Sequence, residues 1–401
     1  MADKPAETAD ATASYEGPPD YRVVGQHGVF PEVSHDEAER FNFLAHMNRH
    51  LSTKVLPGVQ TAFDKRVSKG RSFDSRREII HALAEDRYFQ GWSALRRNTM
   101  EMRQQAGRWV TLRQAEALAE KTAELTDQTN LRLDPTVPLP RYVSAVDHHC
   151  MPGSYHTEYF EGDVTNAANY DVGLFATTGG MLGRYADGGG LAVVKWVKKN
   201  MPDFRPKRIL DLGCTIGHNA VPIAQNFPDA EVTAVDVGTP VLRYAAARAR
   251  SMGVENIQFV QGNVESLSAF PDGHFDWIQS TMFLHETSFK ALQTIFAETH
   301  RLLAPGGVVL HVEQPQYTDD MPLFEQAMRD WDSFYNNEPF WSQLHGIDLQ
   351  AFLEKAGFDR GKLIHSGATA VVDKDVFPDA ADDDSEDYGR KAAWEVIGAR
   401  K

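Results

Sequence analysis

The sequence predicts an α/β protein with a mostly parallel sheet, preceded by an all-α region, and three observations lead there. Short apolar runs at 208–212, 231–236, 257–261, 275–280 and 306–312 alternate with helical stretches. That is the rhythm of parallel strands joined by crossover helices. The first run opens Arg208-Ile-Leu-Asp-Leu-Gly-Cys-Thr-Ile-Gly-His-Asn219, a strand that turns on two glycines and enters a helix over 218–227. Upstream, from Ser34 to about Leu125, apolar residues recur instead at three- and four-residue spacing, the period of a helix.

Taken in order, residues 1–20 are rich in Ala, Pro and acids and read as a mobile arm. Ser34 followed by Glu37 has the form of a capping box opening the first helix, whose stripe is Phe41, Leu44, Met47 and Leu51. Ile79, Ile80, Leu83, Trp92 and Leu95 continue the helical pattern. Residues 126–145, with Asp134-Pro, Val137-Pro and Leu139-Pro, read as an extended linker that closes a helical unit over 21–145. Leu191 to Asn200 precedes the glycine turn as a helix. Trp394 to Ala399 forms a final strand, and the acidic stretch Asp379–Asp387 a loop before it. The α/β unit therefore spans 146–401.

Composition bounds the function. With 401 residues, 42% hydrophobic and 24% charged, the chain is globular and long enough for two units. A net charge of −15 opposes a phosphate-backbone partner, so no nucleic-acid partner is expected. The basic cluster Lys195, Lys198, Lys199, Arg205, Lys207 and Arg208 reads as a solvated helix end. Two cysteines, Cys150 and Cys214, make no disulfide framework and suit a reducing interior. No apolar run nears 18 residues, and Met1 to Glu7 lacks the apolar core of a signal peptide. A cytoplasmic protein with no membrane partner is expected.

The glycine turn narrows the ligand. A dinucleotide fingerprint would put a glycine where Thr215 stands, and no phosphate-cradling G-x-x-x-x-G-K-[ST] occurs. What remains is a turn carrying its own carboxylate, Asp211, with a second acid, Asp236, closing the next strand. That suits a ligand with an ammonium group and a ribose better than one with a pyrophosphate.

From Asp211 to Gly217 the chain resembles motif I (D-x-G-x-G-x-G) of class I S-adenosylmethionine-dependent methyltransferases. The resemblance continues in order through Asp236, Gly262-Asn-Val264, Phe275-Asp-Trp-Ile-Gln-Ser280 and Leu302-Leu-Ala-Pro-Gly-Gly-Val-Val-Leu310. It covers roughly residues 170–401. It implies the Rossmann-like methyltransferase fold, a mostly parallel seven-stranded sheet with helices on both faces, whose last strand runs antiparallel within the edge pair. It also implies S-adenosyl-L-methionine as cofactor, held by Asp211, Gly213, Cys214, Gly217, Asp236, Val237, Asn263, Val264 and Gln279. Asp236 would take the ribose hydroxyls, and Asn263 the adenine. Thr215 departs from the motif's glycine, and Asn263 stands where Asp is commoner. An Asn carbonyl still accepts from the adenine amino group.

The resemblance also points to chemistry. His285, directly after the fourth strand, and Glu313, at the end of the fifth, resemble the His/Glu pair of polyketide-type C-methyltransferases. His285 is the candidate general base and Glu313 its orienter, since a carboxylate raises an imidazole's basicity and fixes its tautomer. Glu286 is expected to face away, in the first turn of a helix. In Asp147-His-His-Cys-Met-Pro-Gly-Ser-Tyr-His156, a metal site from His148, His149 and His156 is conceivable, but adjacent residues point apart and no metal is expected. The segment reads instead as a cover, with Tyr155 or Tyr159 near the cofactor carboxylate or the substrate. An aromatic insert over about 315–345 supplies the acceptor pocket from Trp331, Phe334, Tyr335 and Trp341, joined by Phe283.

The expected reaction is O- or C-methylation of a small, largely apolar or aromatic acceptor. A protein or peptide methyltransferase and a non-catalytic S-adenosylmethionine-binding partner protein are the alternatives. The helical region reads either as a substrate lid or as a homodimer interface.

Overall fold

The computed structural model describes residues 17–378 and 394–401. Eight strands form one sheet: β1 (Leu131–Arg132), β2 (Arg208–Leu212), β3 (Glu231–Asp236), β4 (Ile257–Gln261), β5 (Phe275–Thr281), β6 (Leu303–Glu313), β7 (Leu363–Ala368) and β8 (Trp394–Arg400). Their order is β1-β4-β3-β2-β5-β6-β8-β7. The strands from β1 to β6 pair parallel, and β8 runs antiparallel between β6 and β7. Within this mostly parallel sheet, β1 is an addition that the Pro-rich linker contributes, pairing beside β4. Central strands such as Ile209 to Leu212 are buried throughout, because helices cover both faces of a parallel sheet.

One face packs Trp196, Ile223, Val232, Leu242, Phe259 and Trp277. The other packs Leu210, Ile278, Ile295, Phe296, Val309 and Ile397. The chain order reverses between β2 and β5, and ligands of such sheets bind at the carboxyl ends there.

The first helix, His35–His50, opens on the full capping box: Ser34 Oγ accepts from Glu37 N, and Glu37 returns to Ser34 N at 2.8 Å. Phe41, Leu44 and Leu51 are buried. The long helix Arg87–Leu112 and the helix Thr165–Thr178 pack on this first helix through Phe41, Leu44, Val110, Val172 and Phe175. Leu95, expected on the buried stripe, is instead 50% exposed, since the long helix turns Trp92 and Met100 inward. The helix Leu323–Tyr335 of the insert packs onto the helical region: the Trp92 and Trp331 rings lie 4.5 Å apart, and Trp331 Nε1 donates to Ser93 Oγ at 2.9 Å. Insert and helical region thus form one cover over the sheet's carboxyl edge.

Residues 17–20, expected to end a mobile arm, are placed: Pro18 and Pro19 lie beside Gly179 and Gly180, and Asp20 accepts from Arg22 N. The acidic stretch 379–387 falls outside the described residues. The basic cluster before β2 is exposed apart from half-buried Arg208. Among the described residues no helix is long and apolar enough to cross a membrane.

Candidate active site

The turn after β2 is tied down by backbone hydrogen bonds and left-handed residues. Gly213 and Cys214 donate to Val235 O at 2.8 and 3.0 Å. Gly213 and Gly217 have φ of 69° and 71°, and Thr215, where the motif carries glycine, has φ 43°. Thr215 therefore holds a conformation that costs a side-chain residue about 1 kcal/mol. A β-carbon on Gly213 would lie 2.1 Å from the Phe283 ring, so that position admits nothing larger. Asp236 accepts from Thr215 N at 3.0 Å and Gly238 N at 2.9 Å.

Asp211 faces Gln279 across the β2–β5 pair, and Gln279 Nε2 donates to its Oδ1. The other oxygen, Oδ2, is buried with no hydrogen-bond partner among the described residues. Burial, aided by the charge of Asp236, pushes the Asp211 carboxyl well above its ordinary range. Burial likewise pushes Asp236 up to about 6, against the pull of the Gly238 and Thr215 N–H groups. Two buried acids at one strand edge, one with a free oxygen, fit a ligand carrying cationic groups and hydroxyls. Val264 is buried in the apolar core with Leu212 and Val235. Half-buried Val237 accepts from Gln261 through its carbonyl, and Asn263 Oδ1 accepts from Glu265 N at 2.9 Å. Tyr142, which sequence reasoning left in the linker, reaches this edge and donates to Glu265 Oε1 at 3.1 Å.

The second half of the site begins at the end of β6. Glu313 is fully buried; its Oε1 accepts from the backbone of Phe283 and Leu284 at 2.9 and 2.6 Å, and its Oε2 meets His285 Nδ1 at 2.7 Å. With Nδ1 taken, Nε2 is the nitrogen left to meet a reacting group. The Trp341 ring stacks on the imidazole at 4.8 Å. Burial alone would lower His285, but the Glu313 charge and hydrogen bond outweigh it and raise the imidazole to about 9.

Glu286, expected to face away, turns inward instead, because residues 284–286 form a 3₁₀ turn and the following helix starts only at Phe289, capped by Ser288. Glu286 accepts from Tyr155 Oη at 2.8 Å and lies 3.3 Å from His149 Nε2. His149 Nδ1 is 2.6 Å from Glu338. Burial would raise Glu286, yet the hydrogen bond from His149 and nearby imidazoles hold it at about 2. Burial would lower His149, yet Glu338 and Glu286 raise it to about 10. His148 turns elsewhere, toward Ser154 Oγ.

These groups face a cavity of about 680 Å³ lined by His149, His285, Glu286, Trp331 and Trp341, with Asn48, Trp92, Arg96 and Arg103 from the helical region. His218 and Asn219, just past the glycine turn, also line it, which joins the two halves.

Not every expected residue lies there. Phe283 covers Gly213 rather than the cavity. Phe334 is 74% exposed, and Tyr335 stacks on Trp331 from the partly exposed outer side. Tyr159 is 46% exposed, with its hydroxyl toward Arg108, whereas Tyr155 is buried with its carbonyl against Gly238. Cys214 is buried in the turn. Sequence reasoning missed Glu338 altogether; its only signal was an acid among the insert's aromatics.

Strand order, reversal point and paired acids define a class I methyltransferase architecture. The methyltransferase-domain family model matches residues 209–307. The chain is 32% identical over 168 residues to an uncharacterized methyltransferase of Synechocystis sp., covering 41% of this chain and 74% of that protein. It is 32% identical over 129 residues to the fatty-acid O-methyltransferase of Mycolicibacterium smegmatis (32% of this chain, 44% of that one). To the demethylmenaquinone methyltransferase of Thermus thermophilus it is 36% identical over 110 residues (27% and 48%). The chain spans about half the length of the latter two relatives. It belongs to the S-adenosylmethionine-dependent methyltransferase family, whose cofactor is S-adenosyl-L-methionine.

Proposed function

We propose that this protein transfers the methyl group of S-adenosylmethionine to an oxygen or carbon of a small, largely apolar or aromatic acceptor. The carrying observation is the His285–Glu313 contact at 2.7 Å, buried and opening on the cavity. The sulfonium donor is already activated, so the protein's work is to align the acceptor and exclude water. Asp211 and Asp236 would hold the cofactor's charged groups and ribose hydroxyls. His285 would take the acceptor's proton, which a hydroxyl or acidic C–H needs and a neutral amine does not. Because Glu313 keeps the imidazole protonated near neutrality, this role strengthens as pH rises toward 9. Trp331 and Trp341 support an apolar acceptor, as do relatives named for a fatty acid and for demethylmenaquinone.

The test is incubation with methyl-labelled S-adenosylmethionine and a cell extract. Label in the small-molecule fraction supports this reading. Label in protein would favour a protein methyltransferase. Cofactor binding with no label anywhere would favour a non-catalytic binder.

A homodimer through the helical region has its own support. The long helix exposes Tyr88, Leu95, Met102 and Trp109 at seven-residue intervals, with Trp109 70% exposed. That spacing makes a single apolar seam along one helix face. Sedimentation should give a dimer that Trp109→Glu converts to monomer; a monomeric wild type would remove this assembly.

A further inference from the structure

His149, Glu286 and Glu338 come from three separate parts of the chain: the strap 147–156, the turn after β5 and the aromatic insert. One ligand atom from each lies within 4.8 Å of the others. A tetrahedral transition-metal ion spaces such atoms about 3.4 Å apart, so rotations of roughly 1 Å would close the set. We infer that these three side chains form a binding site for one divalent first-row transition cation, opening on the acceptor cavity beside His285.

One observation beside the cluster carries this. Glu338 is 1% exposed, and its Oε2 has no hydrogen-bond partner among the described residues. A buried carboxylate oxygen left so is costly unless a ligand meets it. The backbone accounts for the placement of the imidazole: His149 and Cys150 both sit in the left-handed region at φ 54° and 58°, a rare conformation for side-chain residues. That pair of turns separates His149 from His148 and aims it between the two acids.

The donor set also selects the ion. One imidazole with two carboxylates mixes nitrogen and oxygen, which suits Zn²⁺, Mn²⁺, Fe²⁺ or Co²⁺ over the all-oxygen coordination of Ca²⁺. A neutral imidazole and two carboxylates carry two negative charges, which a dication balances. Three protein ligands leave at least one position open. His149 and Glu286 line the cavity, so that position would face an acceptor oxygen. The ion's use in the reaction rests on the acceptor reading above; its binding does not.

Co²⁺ titration of the chelator-treated full chain, followed by visible absorption, tests the binding directly. One equivalent should bind, at least ten-fold more weakly in Glu338→Gln and His149→Gln, with S-adenosylmethionine affinity unchanged in both. Zn²⁺ should compete with Co²⁺ and raise the melting temperature of the wild type alone. Absence of Co²⁺ and Zn²⁺ binding to the wild type overturns the site, leaving a proton-bridged ion triplet. Equal binding by both variants overturns it too, by placing the metal elsewhere. If a variant does not fold, the wild-type titration and the other variant still decide. Metal binding without methyl transfer would refute the function proposed above and spare the site; methyl transfer by a protein that binds neither Co²⁺ nor Zn²⁺ would do the reverse.

Discussion

The strand edge proposed to hold the cofactor and the cavity proposed to hold the acceptor share one end of the sheet but are built on different plans. The cofactor edge draws Asp211, Gly213, Asp236, Asn263 and Gln279 from consecutive strand ends, within about 70 residues of chain. Its geometry is fixed by ladder hydrogen bonds and by backbone N–H groups on Asp236. The acceptor cavity gathers His149, His285, Glu286, Trp331 and Trp341 with residues of the N-terminal helices. There, side chains fix one another: Glu313 holds His285, Trp341 stacks on it, and His149 bridges two acids. A site built on backbone can stay constant while its partner varies. A site built on side chains from distant segments can change specificity by exchanging any one of them.

This contrast can be broken most forcefully at His285. His285→Ala should lower turnover by roughly 10²- to 10⁴-fold while cofactor affinity stays within about two-fold. The wild type should gain activity as pH rises toward 9, because the imidazole must first lose the proton that Glu313 holds on it; wild-type turnover in the variant would reduce His285 to packing. Next comes Asp236→Ala. It removes charge-assisted hydrogen bonds worth about 1.5–3 kcal/mol and should weaken S-adenosylmethionine roughly 10- to 100-fold in calorimetry. An unchanged affinity would move the ribose contact elsewhere.

A smaller effect is expected at the cavity wall. Trp341→Leu should raise the acceptor KM several-fold and leave cofactor affinity alone, and a loss confined to cofactor binding would contradict the division into halves. Smallest of all is Phe334→Ala. At 74% exposure it should shift stability by under about 0.5 kcal/mol and leave KM untouched.

The same division governs how much was legible in the sequence. The runs 208–212, 231–236 and 257–261 coincide with β2, β3 and β4, since each carries short apolar stretches such as Ile209-Leu210 or alternating ones such as Ile257 and Phe259 that the sheet buries. β7, Leu363-Ile-His-Ser-Gly-Ala368, was not read: it lies at the sheet's edge, half exposed, with no apolar run to mark it. β1 is only two residues long. On the acceptor side, Glu286 was turned the wrong way because its direction depends on a 3₁₀ turn rather than a helix. His149 depends on a left-handed backbone that no periodicity announces. Glu338 meets His149 across almost 190 residues. Residues whose role follows from a repeating local geometry can be found from sequence; those defined by a single long-range encounter cannot.

The two acids at the cofactor edge have a thermodynamic consequence. Burial raises Asp236 to about 6 and, with the neighbouring Asp236 charge, holds Asp211 well above the ordinary carboxylate range. A folded-state value above the ordinary 3.8 means that Asp236's contribution to folding is complete below 3.8 and disappears as pH climbs through 6. Below about 6 the ligand-free protein therefore holds a proton on Asp236. An arriving sulfonium and ammonium favour the ionised carboxylate, so uptake of the cofactor should expel that proton into the medium. The heat of binding would then vary with the ionisation enthalpy of the buffer, and the cofactor would bind more tightly in alkaline than in acidic solution.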